Sequence, residues 1–256
     1  MVRGLDRFRE HFSAHTDQYV LIGGTACQTI MDEAGLPFRA TQDLDIVLIV
    51  EVLDPSFVRA FWQFVWAGGY EKKQQATGGR RYYRFSHPTD SSYPKQLELL
   101  ARKPEMIELP EGAVLTPIPA DDDDLSSLSA ILMSEVYYDF LHAGIRIIDG
   151  LSVADAEHLI PLKALAWLNL SREKKEGRHV DEGNIKKHKL DVFRLYRVMD
   201  PTFKTAVPNR IREDMRSFLD ADEVKEVDLK ALEIRSENME SVLSKLRSVY
   251  VYRSEA

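Results

Sequence analysis

The alternation of apolar and polar positions changes character near residue 120. Before it, short apolar runs alternate with amphipathic stretches; after it, apolar positions recur mostly at helical spacing. Leu5, Phe8 and Phe12 share one face of an opening amphipathic helix. Tyr19 to Ile22 is apolar throughout and predicts a short buried strand that Gly23 and Gly24 end. Thr25 is then placed to cap a helix carrying Ala26, Cys27, Ile30 and Met31, with Gly35 as its stop. Leu44 to Val50, rich in Ile and Val, predicts a central strand. Asp54 and Pro55 supply a cap and a first-turn proline for a helix with Phe57, Phe61, Trp62, Val65 and Trp66 on a bulky apolar face. Tyr82 to Ser86 and Gln96 to Leu100 read as strands joined through His87 to Pro94, most economically as an antiparallel hairpin.

Pro117 to Ser129, with four consecutive aspartates from Asp121, is the most linker-like stretch. Beyond Ser126 the pattern predicts a helix ending near His142, an extended piece from Arg146 to Ile148, and Ser152 as cap of a helix through Ala164 and Trp167. Pro161 delays the start of that helix or kinks it. Glu173 to Lys189 reads as a loop by composition, and Leu190 to Met199, Ile211 to Leu219 and Val224 to Val249 as helices. The expected class is α+β: residues 1–120 form a core of mixed sheet and helices, and residues 125–256 form a mainly helical domain that completes a cleft.

A chain of 256 residues, 44% hydrophobic and 29% charged, can bury a substantial core in one large or two modest domains. With 34 Lys and Arg against 41 Asp and Glu, the formal charge of −7 argues against a protein that coats nucleic acid by bulk positive charge. The charge is uneven, however. Glu98 to Asp124 holds eight acids and two bases, whereas Lys163 to Arg197 holds ten bases and five acids, so a polyanion is expected to dock on the helical half. The single Cys27 excludes an internal disulfide and a cysteine-built zinc site, and the seven histidines lack metal-ligand spacing. The N-terminus has no apolar signal region and no run approaches the roughly 20 residues that cross a bilayer, so the expected setting is cytoplasmic, without membrane contact.

The candidate chemistry lies between Tyr19 and Ile49. A strand delivers two glycines to a helix start, and eighteen residues separate Gly24 from Asp43 at the head of the next strand. Asp43 and Asp45, two apart on a strand, present their carboxylates to one face. Such a pair disturbs its own ionisation unless a cation lies between, and magnesium is satisfied by one or two carboxylates plus phosphate oxygens and water. Glycines at a helix start leave backbone N–H groups open to phosphate. Glu98, alone among apolar neighbours in QLELL, is the best-placed third carboxylate, opposite the Asp pair in an antiparallel sheet. Each feature also has a plainer reading. Gly-Gly can be only a tight turn, the Asp pair strand-edge charges, Glu98 the polar side of a half-exposed strand, and Lys163 a snorkelling surface lysine. Arg39 and Thr41 can simply brace a loop, and Lys189 and Asp191 can form a surface ion pair.

Gly23-Gly24-Thr25-Ala26, followed by Arg39, Thr41 and Asp43-Leu44-Asp45-Ile46, resembles the AbiEii-like nucleotidyltransferases. These include toxins of type IV toxin–antitoxin systems and belong to the polymerase-beta-like nucleotidyltransferase superfamily. The segment YYRFSHP…PKQLELL is similar to that family's region between the Asp pair and the third acidic strand. Leu159 to Ala166 and Lys189-Leu190-Asp191 resemble its helical half, so the likeness spans about Tyr19 to Leu195. The Gly-to-Asp spacing suits the AbiEii-like branch, and Glu98 stands where Asp is common. The resemblance implies Mg2+ or Mn2+ at Asp43, Asp45 and Glu98, and an NTP substrate at Gly23, Gly24, Thr25, Arg39 and Thr41. It also implies that Lys163, Lys189 and Asp191 face the nucleotide. RNA, tRNA ends included, is the implied acceptor, and a cognate antitoxin the implied partner. A small-molecule O-nucleotidyltransferase of the aminoglycoside type and a catalytically inert nucleotide-binding module are the alternatives.

Overall fold

In the computed structural model, residues 2–49, 54–77, 80–101, 116–117, 134–200 and 202–252 are described. Two compact units result, Met1–Asp122 with Ile145–Ala154 and Asp123–Gly144 with Asp155–Ala256.

The first unit runs α1 (Leu5–His11), β1 (Tyr19–Ile22), α2 (Gly23–Glu33), β2 (Asp43–Leu48), α3 (Pro55–Gly68), β3 (Glu71–Thr77), β4 (Arg80–Ser86), β5 (Gln96–Ala101), β6 (Thr116–Pro117), β7 (Ile145–Ile148) and β8 (Leu151–Ala154). Its strands form one mixed sheet in the order β6-β3-β4-β5-β2-β1-β8-β7, and with the helices that follow the chain is α+β. The apolar β1 and β2 lie inside the sheet, where all of β1 and the Ile46–Leu48 end of β2 are buried. Phe8 of α1 and Phe12 just after it meet Tyr19 of β1 and Phe57, Phe61 and Phe64 of α3 in one aromatic cluster. Such pairs add about 0.5–1.5 kcal/mol each beyond the area they bury. Asp54 caps α3 as the pattern predicts, accepting from the N–H groups of Ser56 and Phe57. The Ser56 hydroxyl and then the Phe57 N–H hold its carboxyl down to about 2. Trp62 is buried, but Trp66 is 49% exposed and only partly joins that face.

Several expectations give way. Thr25 does not cap α2: Gly23, at φ +68°, turns the chain so sharply that the helix begins at Gly23 itself. The Thr25 hydroxyl donates instead to the Asp43 carbonyl at 2.7 Å. β3 carries no apolar signal, yet pairs antiparallel with β4 along its whole length. Ser152 is not a helix cap either, because it belongs to β8, which pairs parallel with β1 and antiparallel with β7. Asp149 and Gly150 between β7 and β8 both have positive φ, the conformation of a two-residue hairpin turn, so residues 145–154 join the first unit's sheet. The linker reading beyond Pro117 lies outside the described residues.

The second unit contains α4 (Glu135–His142), α5 (Ala156–Lys175), α6 (Glu182–Tyr196), α7 (Asn209–Asp220), α8 (Asp222–Lys225), a 3-10 turn at Lys230–Leu232, and α9 (Met239–Tyr250). Asp155 caps α5 by accepting from the His158 N–H. Pro161 lies inside α5 without ending it. Its missing N–H leaves the Glu157 carbonyl one turn earlier without its usual helical donor, and the buried Tyr250 hydroxyl of α9 donates there at 2.8 Å. The expected loop from Glu173 to Lys189 is mostly helix, with only residues 176–181 between α5 and α6. Composition misled because the charges are solvated on helix faces and paired, as in Lys174 with Glu182. Val224 to Val249 is not one helix: it breaks between α8 and α9, where Asn238 caps α9 by accepting from the Ser241 N–H. No helix among the described residues is long and apolar enough to cross a membrane.

Candidate active site

In the first unit, β1 and β2 run antiparallel with Ile22 beside Asp45, so the strand that ends in Gly23 ends next to the second aspartate. A Cβ built on Gly23 would overlap Asp45 Oδ2. Glycine is therefore required there twice, for its positive φ and for the closeness of the carboxylate. A Cβ on Gly24 would overlap the Thr41 hydroxyl and lie 3.5 Å from a terminal nitrogen of Arg39. The loop before β2 thus folds its Arg and Thr over the start of α2, and the Thr25–Asp43 hydrogen bond ties helix and strand together. Asp45 is half-buried and Asp43 exposed. A carboxylate at the first turn of a helix is favoured by the positive end of the helix dipole.

On the other side of β2, β5 runs parallel rather than antiparallel and sets Glu98 directly beside Asp45 and Gln96 beside Asp43. β4 in turn sets Arg84 beside Glu98. Directly paired residues share a sheet face, so Asp45, Glu98 and Arg84 form a row across three strands. Glu98 is 9% exposed. Its Oε1 accepts from Arg84 Nε at 3.1 Å and from Gln96 Nε2 at 2.8 Å, which supplies the countercharge a buried carboxylate needs. Among the described residues no three His, Cys, Asp or Glu side chains come together as a ready-made metal site. The chemistry of the donor set fits magnesium through Asp43 and Asp45 with substrate phosphate oxygens making up the coordination, while Glu98 is already engaged by Arg84 and Gln96.

Lys163, Lys189 and Asp191 belong to the second unit, which brings together only two of them. Lys163 Nζ lies 3.6 Å from Asp191 Oδ2, and the two side chains are 1% and 0% exposed. Arg194 donates to the other carboxylate oxygen at 2.9 Å. This is a core ion cluster, neither a snorkelling lysine nor a surface pair. Lys189, two residues from Asp191 and so nearly opposite it around α6, donates to the Glu223 carbonyl at 2.7 Å. Part of the basic surplus of this segment is matched by acids further along the same unit: Lys175 reaches Glu223 and Arg197 reaches Glu233.

No protein-family model and no curated protein matches the chain. Among solved structures it is similar to an antigenic nucleotidyltransferase-like protein from Paracoccidioides brasiliensis, at 14% identity over 98% of this chain and 96% of that one, with a TM-score of 0.40. It is also similar to the Cid1 poly(U) polymerase bound to MgATP, at 12% identity over 98% of this chain and 67% of that one, TM-score 0.32. A cytoplasmic RNA terminal U-transferase aligns at 12% identity over 98% of this chain and 66% of that one, TM-score 0.31. At such scores no residue-by-residue correspondence follows.

Arg84 and Gln96 escaped the sequence reading. Gln96 was visible in principle, two positions before Glu98 on the same strand face; Arg84 becomes visible only once the β4–β5 register is known. The glycine geometry makes a direct prediction. Gly23→Ala is expected to cost about 1–3 kcal/mol through left-handed strain and displacement of Asp45. Gly35→Ala also places alanine at positive φ, but with nothing within 4 Å of the new Cβ, and so costs less. Urea unfolding of the two variants measures the difference, and equal losses would mean that the Asp45 contact is unimportant.

Proposed function

We propose that this chain is a magnesium-dependent nucleotidyltransferase that moves a nucleoside monophosphate from an NTP to an acceptor hydroxyl. The observation that carries the reading is the meeting of the Asp45 carboxylate with the Cα of Gly23, beside the Arg39 and Thr41 cover over Gly24. One place thereby offers backbone N–H groups for phosphate and carboxylates for a hard cation.

In this reading the first turn of α2, Gly23 to Thr25, cradles the β and γ phosphates, and Arg39 offsets their charge. Asp43 and Asp45 hold Mg2+, or Mn2+ in its place; the ion, when bound, neutralises the triphosphate and acidifies the acceptor hydroxyl. Glu98, oriented by Arg84 and Gln96, accepts the acceptor's proton. The acceptor oxygen forms a bond to the α-phosphorus as the bond from that phosphorus to the bridging oxygen breaks, and pyrophosphate leaves. Lys163 and Asp191 brace α5 against α6. The acceptor is an RNA hydroxyl, tRNA ends included, and the setting is a toxin held by a cognate antitoxin, both carried by the resemblance of Gly23 to Ile46 to the AbiEii-like branch.

A second reading, a nucleotide-binding module without transfer, is favoured by the engagement of Glu98 with Arg84. Incubation with each α-labelled NTP, Mg2+ and total RNA, or an aminoglycoside, separates these readings. Label in RNA is the expected result, label in the aminoglycoside moves the acceptor to small molecules, and NTP binding with no transfer leaves the module.

A further inference from the structure

The helical unit carries a pocket that nucleotidyl transfer does not use. It lies between the segment leading into α7, α7 itself and the end of α9, and its volume is about 220 Å³. Lys204, Arg212, Thr205, Ser248, Phe203 and Tyr252 line it, and among the described residues no carboxylate does. In a chain of net charge −7 this is a local exception. Two cations in a wall that no described carboxylate lines hold a positive potential that an anion relieves.

The individual groups narrow the class of anion. Arg212 Nε donates to the Val207 carbonyl at 2.7 Å, which fixes the guanidinium plane without using its terminal nitrogens. Asp200, four residues before Lys204 in the chain, has its Oδ1 taken by the N–H and hydroxyl of Thr202, which hold its carboxyl below the usual range. Ser248 gives its hydroxyl proton to the Lys245 carbonyl, so its oxygen can only accept. A bare phosphate dianion has no proton to offer it, whereas a base N–H or a ribose hydroxyl does. Phe203 is braced edge-on against His158, with centroids 5.4 Å apart. Tyr252 leaves a ring 60% exposed at the rim, a surface on which another planar ring can stack.

We infer that this pocket binds a phosphate ester of a nucleoside. The phosphate sits on Lys204, Arg212 and the Thr205 hydroxyl, the base stacks on Tyr252, and Ser248 accepts from the base or ribose. The source of that chemistry is a free nucleotide or one residue of a single-stranded RNA. The site needs neither Asp43 nor Asp45, so it stands or falls separately from the transfer reaction.

The test uses the full chain carrying Asp43→Asn and Asp45→Asn, in EDTA, so that a metal-dependent triphosphate site does not contribute. Anisotropy of a labelled single-stranded RNA hexanucleotide is followed, with AMP, UMP and inorganic phosphate as competitors. Lys204→Ala and Tyr252→Ala are each expected to weaken binding by about tenfold. Lys204→Ala also lowers the salt dependence by about one released ion, and Tyr252→Ala leaves it unchanged. Lys225→Ala, at an exposed lysine paired with Asp222 outside the pocket, serves as the control and leaves affinity unchanged. Lys204 and Tyr252 are exposed, so both variants fold. Competition by mononucleotides assigns a free nucleotide, and binding of the hexanucleotide alone assigns an RNA strand. Absence of binding, equal affinity in all variants, or competition by inorganic phosphate with Tyr252→Ala silent overturns the inference.

Discussion

Asparagine at both Asp43 and Asp45 abolishes transfer of label from NTP, by at least on the order of 10³-fold, and removes the magnesium dependence of NTP binding. The substitution keeps side-chain volume while it removes the charge and turns one acceptor oxygen into a donor, so the effect reports on the cation and its coordination and not on packing. Stability moves by less than about 1 kcal/mol, because two charge effects of similar size oppose each other there. Losing Asp45 forfeits a favourable charge at the start of α2, where Gly23 crowds it. It also relieves repulsion with Glu98, its direct neighbour across β2 and β5. Loss of activity with stability retained is the signature of residues placed for chemistry. Isothermal titration of Mg-NTP and thermal unfolding measure the two halves, and undiminished Mg-NTP affinity in the double variant would falsify the site.

Asp191→Asn is expected to have the largest effect on stability, a loss of about 3–5 kcal/mol, because it strands charge in the core of the helical unit. Asp191 is fully buried between Lys163, itself 1% exposed, and Arg194. Lys163→Met costs less, since Asp191 keeps its 2.9 Å bond from Arg194 and the methionine fills the lysine's space. Urea denaturation should rank the variants in that order. If instead Asp191→Asn unfolds like the wild type but no longer binds NTP, the nucleotide-facing role implied by the family resemblance is correct and the brace is not.

The same buried pair shows where sequence reading reaches its limit. Lys163 and Asp191 are both visible as charges on helices, but whether a charge on a helix is solvated or buried depends on what packs against it, and periodicity around Lys163 says nothing of α6. Elements whose cause is local were legible: β1 and β2 from their unbroken apolar runs, α3 from Asp54 and Pro55, the β4–β5 hairpin from the His87–Pro94 turn. β3 was not, because EKKQQAT has no apolar alternation and becomes a strand only through pairing with β4. β8 was legible and missed, since Asp149-Gly150 between apolar segments is itself a hairpin signal. For the candidate site, the motif residues could be chosen from spacing. Their arrangement could not, because the parallel β2–β5 pairing that sets Glu98 beside Asp45, and Arg84 beyond it, is a long-range register.

Pro161 is a defect in its helix that works as a fastener. A helix built of ordinary residues would engage the Glu157 carbonyl with its own backbone and leave a distant partner only the second lone pair. The proline ring frees that one acceptor inside the core, and Tyr250 closes on it from 93 residues further along the chain. One of the contacts that hold the last helix, beside those of Arg247 with the Leu219 carbonyl and Asp220, thus falls on a backbone atom freed by the proline four residues further on. Because closing a long loop costs little more entropy than closing a short one, the chain ties its last helix to α5 by omitting one local bond.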